Sequence, residues 1–185
     1  MLEPQTCYDI NVHGTGLLLE AARKAKVRRV VLASSAAVYG ENETSPLMEE
    51  ATLLPRSPYA ASKVANEIYT GLYSRTLSLE VVALRYFNVY GPRQDPNGEA
   101  GVVAIFTGRM LAGEPVTING NGDQERDFVY VGDLAQASVL ALHKGDGGTY
   151  NIGTGVGTSV NTLFAEIKHV VASDQPETFG GYHFL

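Results

Sequence analysis

Two apolar runs, RVVLA at residues 29–33 and LEVVALR at residues 79–85, stand on either side of a long helical stretch. Runs without polar alternation read as strands buried on both faces. Strand, helix, strand in that order dictates a parallel pair joined by a right-handed crossover. This one feature places the chain among α/β proteins. Both strands then send their carboxyl ends to the same rim, where open sheets of this kind bind ligands. The residues delivered there are polar: Ser34 and Ser35 after the first run, Tyr86 and Asn88 after the second.

The helix between the two runs begins at Ser57-Pro58-Tyr59-Ala60-Ala61-Ser62-Lys63. Ser57 suits the N-cap and Pro58 the first helical position, where the N–H it lacks would go unpaired. Helix formers continue to about residue 77, so Tyr59 and Lys63 fall one turn apart on one face. A phenol titrates near 10, and bringing one to neutrality takes roughly 4 kcal/mol of preference for the phenolate. An ammonium about 4 Å away in a partly buried site supplies about 4 kcal/mol at an effective dielectric near 20. The spacing therefore comes close to sufficing for a phenolate base. Tyr-x-x-x-Lys alone equally fits a half-buried tyrosine beside a solvated lysine, so the rest of the chain has to decide.

Residues 6–25 read as a helix with Thr6 as cap and Tyr8, Val12, Leu18, Leu19 and Ala22 near one face. Gly14 and Gly16 weaken it and point to close approach of another backbone or a ligand. Further on, the pattern predicts a polar loop over 42–56, a helix over 102–111, a strand over 115–118 and a turn over 119–124. A strand over 126–130, a helix over 133–144 packed through Ala135, Val139 and Leu142, and a strand over 149–152 follow. A helix over 159–172 presents Val160, Leu163, Phe164 and Ile167, and residues 173–185 show no clear period.

Composition narrows the function. Hydrophobic residues make up 44% and charged residues 18% of 185, enough for a sizeable core. A net charge of −6 argues against nucleic acid or an anionic membrane as partner, since both require a basic face. Cys7 is the single cysteine, and neither it nor the four histidines show zinc-ligand spacing, so no metal is expected. With no basic region leading into an apolar stretch at Met1-Leu2-Glu3-Pro4, the expected location is the cytoplasm, and the sequon Asn42-Glu43-Thr44 reads as coincidence.

Six motifs in order carry a resemblance: NVHGT (11–15), SSAAVYG (34–40), SPYAASK (57–63), LRYFNVYGPRQ (84–94), RDFVYVGDLA (126–135) and YNIGTG (150–155). The chain resembles the extended short-chain dehydrogenase/reductase family, within it the NAD-dependent nucleotide-sugar epimerase/dehydratase group, with the UDP-glucose 4-epimerase type as its nearest pattern. The resemblance covers about residues 8–170. It implies a partial Rossmann-like, doubly wound parallel sheet lacking its first strands. Residues 1–100 would be the later part of the NAD-binding domain, and residues 101–185 an incomplete nucleotide-sugar lobe interleaved with remaining Rossmann elements. By resemblance Tyr59 is the general base, while Lys63 stabilises the phenolate and holds the nicotinamide ribose. Ser35 bonds the reacting hydroxyl. Ser34 and Tyr86 belong with the cofactor, and Asn88 and Arg126 with the UDP-sugar, Arg126 on its diphosphate. Asn11 is structural, tying the helix start to the site.

The reaction implied is transient oxidation at sugar carbon 4, with hydride passing to bound NAD and returning to the opposite face of the turned-over 4-keto sugar. Related dehydratases carry an acidic residue beside the serine or threonine. Here Ala36-Ala37 stand in that place and favour epimerisation over a dehydratase or reductase. The family's opening βαβ unit with its glycine-rich turn has no counterpart in the sequence. Gly153-Thr154-Gly155-Val156-Gly157-Thr158 lies between a strand and a helix, and reads either as a phosphate loop or as a helix entry. The strand over 29–33 would be left with a free apolar edge, which predicts self-association. In the family the helices over 6–25 and 58–77 form a four-helix contact, implying a homodimer. A non-catalytic remnant that binds a nucleotide sugar or a partner protein is the alternative from another class.

Overall fold

The structure is a computed structural model that describes residues 3–42, 45–97, 101–145, 147–171 and 177–180. Most of the sequon and most of the 173–185 tail lie outside those residues. In chain order come α1 (Pro4–Cys7), a π-helical stretch (Tyr8–His13), α2 (Gly14–Lys24), β1 (Arg29–Ser35), a 3-10 turn (Ala36–Tyr39), α3 (Pro58–Thr76), β2 (Glu80–Tyr86) and β3 (Asn88–Tyr90). There follow α4 (Val102–Leu111), β4 (Val116–Asn119), β5 (Glu125–Arg126), β6 (Phe128–Tyr130), α5 (Val131–Ala141), β7 (Thr149–Ile152), β8 (Thr158–Ser159), α6 (Val160–Val171) and β9 (Glu177–Gly180). They divide into two compact units, residues 1–87 with 134–152 and residues 88–133 with 153–185. The first stretch ends at Phe87, short of the boundary near residue 100 read from the sequence, because β3 finds its ladder partner in β6.

The first unit is built on a parallel sheet in the order β1-β2-β7. Val81, Val82, Ala83 and Leu84 on central β2 are almost fully buried, each valine or leucine contributing about 1.5–3 kcal/mol. Val30, Val31 and Leu32 on β1 are only half-buried, which corrects the expectation of a fully buried strand. Among the described residues β1 pairs with β2 alone, so it is an edge. Leu19, Tyr73, Leu79 and Val81 form the core on one side; Val82, Leu84 and Ala141 form a second cluster.

The first helical segment differs from the reading in phase. It starts at Pro4 with Glu3 as cap residue, not at Thr6, and Tyr8 and Leu18 are exposed while Cys7 and Leu19 are buried. Twelve steps separate Cys7 from Leu19, which at about 100° each would leave them about 120° apart on an α-helix. The π stretch Tyr8–His13 absorbs one extra residue and brings the two onto one face. Among the described residues nothing approaches within 4 Å of a Cβ placed on Gly16, and only the Asp9 carbonyl, at 3.7 Å, approaches one on Gly14. The close contact expected at these glycines is thus not made among the described residues.

The second unit packs α4 and α6 over β4. Phe106, Met110, Val116, Ile118, Val160, Phe164 and Ile167 form its core, and Phe106 meets Phe164 edge-on at 6.0 Å. The strand read over 126–130 is two strands, β5 and β6, with Asp127 between them, and β9 forms in the tail where no period was visible. Helix α5 buries Leu134 and Ala141, leaving Val139 and Leu142 exposed, so the packing face expected for it is corrected. Two apolar stripes compete on that helix, and the one that carries Leu134 and Ala141 is buried, Ala141 against Val82 and Leu84.

Candidate active site

Helix α3 starts as its sequence dictates. The Ser57 hydroxyl accepts the Ala60 N–H at 3.1 Å and Pro58 opens the first turn. Asn11 on the π stretch donates to the Ser62 hydroxyl at 2.9 Å, and Ser62 donates to the Tyr59 carbonyl at 2.7 Å. The turn carrying Tyr59 is therefore held from outside the helix. The Lys63 ammonium donates to the Ala33 carbonyl of β1 at 2.9 Å and lies 5.5 Å from the centre of the Tyr59 ring, within cation–π range. Burial pushes the Lys63 ammonium below its ordinary titration range. The Tyr59 ring is 40% exposed, open to a ligand.

Ser35 lies two residues beyond Ala33, on the same side of β1. Its hydroxyl oxygen accepts the Ala37 N–H at 3.2 Å and caps the 3-10 turn, and among the described residues its proton has no acceptor. Ser34 points to the other face, as strand alternation requires. It is 3% exposed and donates to Glu67 at 2.6 Å, so its hydroxyl serves the interior and not a cofactor, a correction to the expected role. The Tyr86 hydroxyl meets the Ser138 hydroxyl at 2.9 Å. Ser138 spends its proton on the Leu134 carbonyl, so Tyr86 is the donor.

Beneath these residues lies a buried polar network that sequence reasoning missed. Arg85 donates from Nε and Nη2 to the two oxygens of Glu67 at 2.9 and 2.7 Å, and from Nη1 to the Tyr39 hydroxyl at 2.6 Å and the Glu49 carbonyl at 2.9 Å. The Tyr39 hydroxyl donates to Asn151 Oδ1 at 2.7 Å, and the Asn151 N–H donates to the Glu49 carboxylate at 2.9 Å. Burial alone would push the Arg85 guanidinium down, but Glu67 and Tyr39 outweigh it and hold it above its ordinary range. A signal existed: Glu67 falls one turn after Lys63, and Arg85 is a charge that ends an apolar run.

Asn88 and Arg126 belong to the second unit. Asn88 is exposed at the start of β3, with its N–H on the Asp127 carbonyl at 2.9 Å. Arg126 is exposed on β5, which pairs antiparallel with β8, and its guanidinium touches only the Glu125 carbonyl among the described residues. The glycine-rich loop after β7 is filled from within: the Asp127 carboxylate takes the Thr154 N–H, the Thr154 hydroxyl and the Gly155 N–H at 2.7–2.9 Å. Its amides are spent on a carboxylate of the chain, which disposes of the phosphate-loop reading.

The family model described as NAD dependent epimerase/dehydratase family matches residues 1–153. The chain belongs to this epimerase/dehydratase family. A putative UDP-glucose 4-epimerase of Methanocaldococcus jannaschii is 51% identical over 165 residues, which are 88% of this chain and 53% of that protein. The crystal structure of a Thermotoga maritima UDP-glucose 4-epimerase with UDP-glucose superposes with a TM-score of 0.95 at 44% identity, over 98% of this chain and 59% of that one. A Thermus thermophilus UDP-glucose 4-epimerase in complex with NAD gives 0.88 at 43% identity, over 95% and 58%. The α/β fold with its parallel sheet is thus the Rossmann-like fold of the epimerase/dehydratase family. The chain spans about half the length of the curated relatives it matches. Among the described residues no helix is long and apolar enough to cross a membrane.

Proposed function

We propose that this chain carries the catalytic residues of an NAD-dependent nucleotide-sugar 4-epimerase of the UDP-glucose/UDP-galactose type. The carrying observation is Lys63, whose ammonium reaches both the end of the strand that bears Ser35 and the ring of Tyr59. The residues fit the nicotinamide end of the cofactor. Lys63 would hold the ribose and Tyr86 would line the ring, and the exposed Tyr59 ring lies near Lys63. Bound NAD supplies a reversible hydride acceptor.

The chain's own residues supply the proton chemistry. Tyr59 as phenolate takes the proton of the sugar 4-hydroxyl as the carbon is oxidised, and returns it when the other epimer forms. Ser35 donates its free proton to the same oxygen and orients it. In the second unit Asn88 would contact the sugar nucleotide and Arg126 its diphosphate, to which a planar fork of donors is suited. Exposed Tyr8, Ile10, Leu17 and Leu18, with Ile68, Tyr69 and Leu72 on α3, support a homodimer through these helices. A lone buried thiol suits the cytoplasm.

The test is conversion of UDP-galactose to UDP-glucose by the chain with added NAD, beside calorimetric titration with NAD and with UDP-glucose. Activity is expected, and Tyr59→Phe should lower it about 100-fold or more. Folded protein that takes up neither ligand refutes the proposal, and a fully active Tyr59→Phe refutes the assigned base. UDP-glucose binding without NAD uptake would instead favour a nucleotide-sugar binder.

A further inference from the structure

Asp127 stands between two short strands of the second unit that belong to different ladders, β5 with β8 and β6 with β3. Its carbonyl accepts the Asn88 N–H, fixing the start of β3. Its carboxylate clamps Thr154 and Gly155, and the Thr154 hydroxyl in turn accepts the Val156 N–H at 3.1 Å. Gly155 has φ +76°, which turns successive amides toward one point, the geometry of an anion nest. The clamped loop leads directly into β8, whose Thr158 is the register partner of Arg126. One residue therefore holds Asn88 through its backbone and the strand opposite Arg126 through its side chain.

The engagement of both carboxylate oxygens matters as much as the grip. An Asp beside an Arg ordinarily competes for the guanidinium, but an ionised carboxylate has about four lone-pair sites. Here both oxygens are engaged by the Thr154 amide and hydroxyl and the Gly155 amide. The Arg126 fork is left to an outside anion. We infer that Asp127 is a positioning residue that presets Arg126 and Asn88 for the diphosphate and sugar of the bound nucleotide, an assignment that rests on the function proposed above.

The experiment is calorimetric titration of the chain with UDP, in wild type, Asp127→Asn, Arg126→Ala and the double variant, well below the thermal midpoint measured for each. Asp127→Asn keeps the size but turns an amide NH2 toward the loop amides. UDP affinity is expected to fall about tenfold, and the double variant should lose little beyond Arg126→Ala, because Asp127 acts largely through Arg126. Hydrogen exchange should show faster exchange at Thr154 and Gly155. An Asp127→Asn that melts lower but binds UDP like wild type, or whose loss simply adds to that of Arg126→Ala, overturns the inference alone. A folded wild type that takes up no UDP overturns the parent reading and the inference with it.

Discussion

Replacing Glu67 by Gln isolates the energetic contribution of the buried network. The Arg85 and Glu67 side chains are 6% and 7% exposed, so the substitution leaves a guanidinium without its countercharge in a place water does not reach. Breaking such a pair from one side costs about 3–5 kcal/mol. Gln retains one oxygen for Ser34 and Arg85 Nε, and Arg85 keeps Tyr39 and the Glu49 carbonyl. The new NH2 faces Nη2, donor against donor, so one charge-assisted bond goes, about 1.5–3 kcal/mol. The lower part of the range, about 3 kcal/mol, is expected. In a chain of this length that lowers the thermal midpoint by about 6–12 °C. Urea unfolding followed by far-UV circular dichroism should show a lower midpoint with unchanged slope. Glu41→Gln is the control: its partner Arg56 is 65% and Glu41 67% exposed, and such pairs contribute about 0–1 kcal/mol. A Glu67→Gln within about 1 kcal/mol of wild type would refute the reasoning.

Gly40→Ala tests the turn that follows Ser35. Gly40 has φ +58°, and an added Cβ would lie 1.9 Å from the Leu54 carbonyl oxygen. A loss of about 2 kcal/mol or more from the backbone alone is expected in a thermal melt, and a wild-type midpoint would contradict it. Lys63 gives the pH dependence. Burial holds its folded value below the ordinary 10.5, so between the two values the unfolded chain binds more protons and stability rises with pH. Wild type should therefore gain on Lys63→Met as pH climbs from neutrality toward 10.5, and parallel stability curves would argue against the buried ammonium.

Local signals in this chain reported what local forces decide. Ser57-Pro58 announced the start of α3, and the continuous run at 79–85 announced the central strand, because capping and double-sided burial leave marks on adjacent residues. Such marks also set Tyr59 and Lys63 one turn apart. The reach of Lys63 to Ala33 needed β1 in place beside α3. Ser34 and Ser35 looked equivalent as a pair, and only strand alternation separates the one that faces Glu67 from the one that caps the turn. The Asp127 clamp spans 27 residues and the Tyr39–Asn151 bond 112, distances over which no periodicity operates. The phase of the first helix failed for a different reason, since a hydrophobic pattern counted at 3.6 residues per turn does not foresee a stretch wound more loosely.

That looser winding makes chain length negotiable in one place. Deleting a residue of Tyr8–His13 other than Asn11 would let the segment tighten into an ordinary α-helix, with Cys7 and Leu19 still turned inward. The same deletion inside Pro58–Thr76 would rotate everything beyond it by about 100°. Insertions and deletions among natural variants should accordingly collect in the first helical segment and spare the one that bears Tyr59 and Lys63.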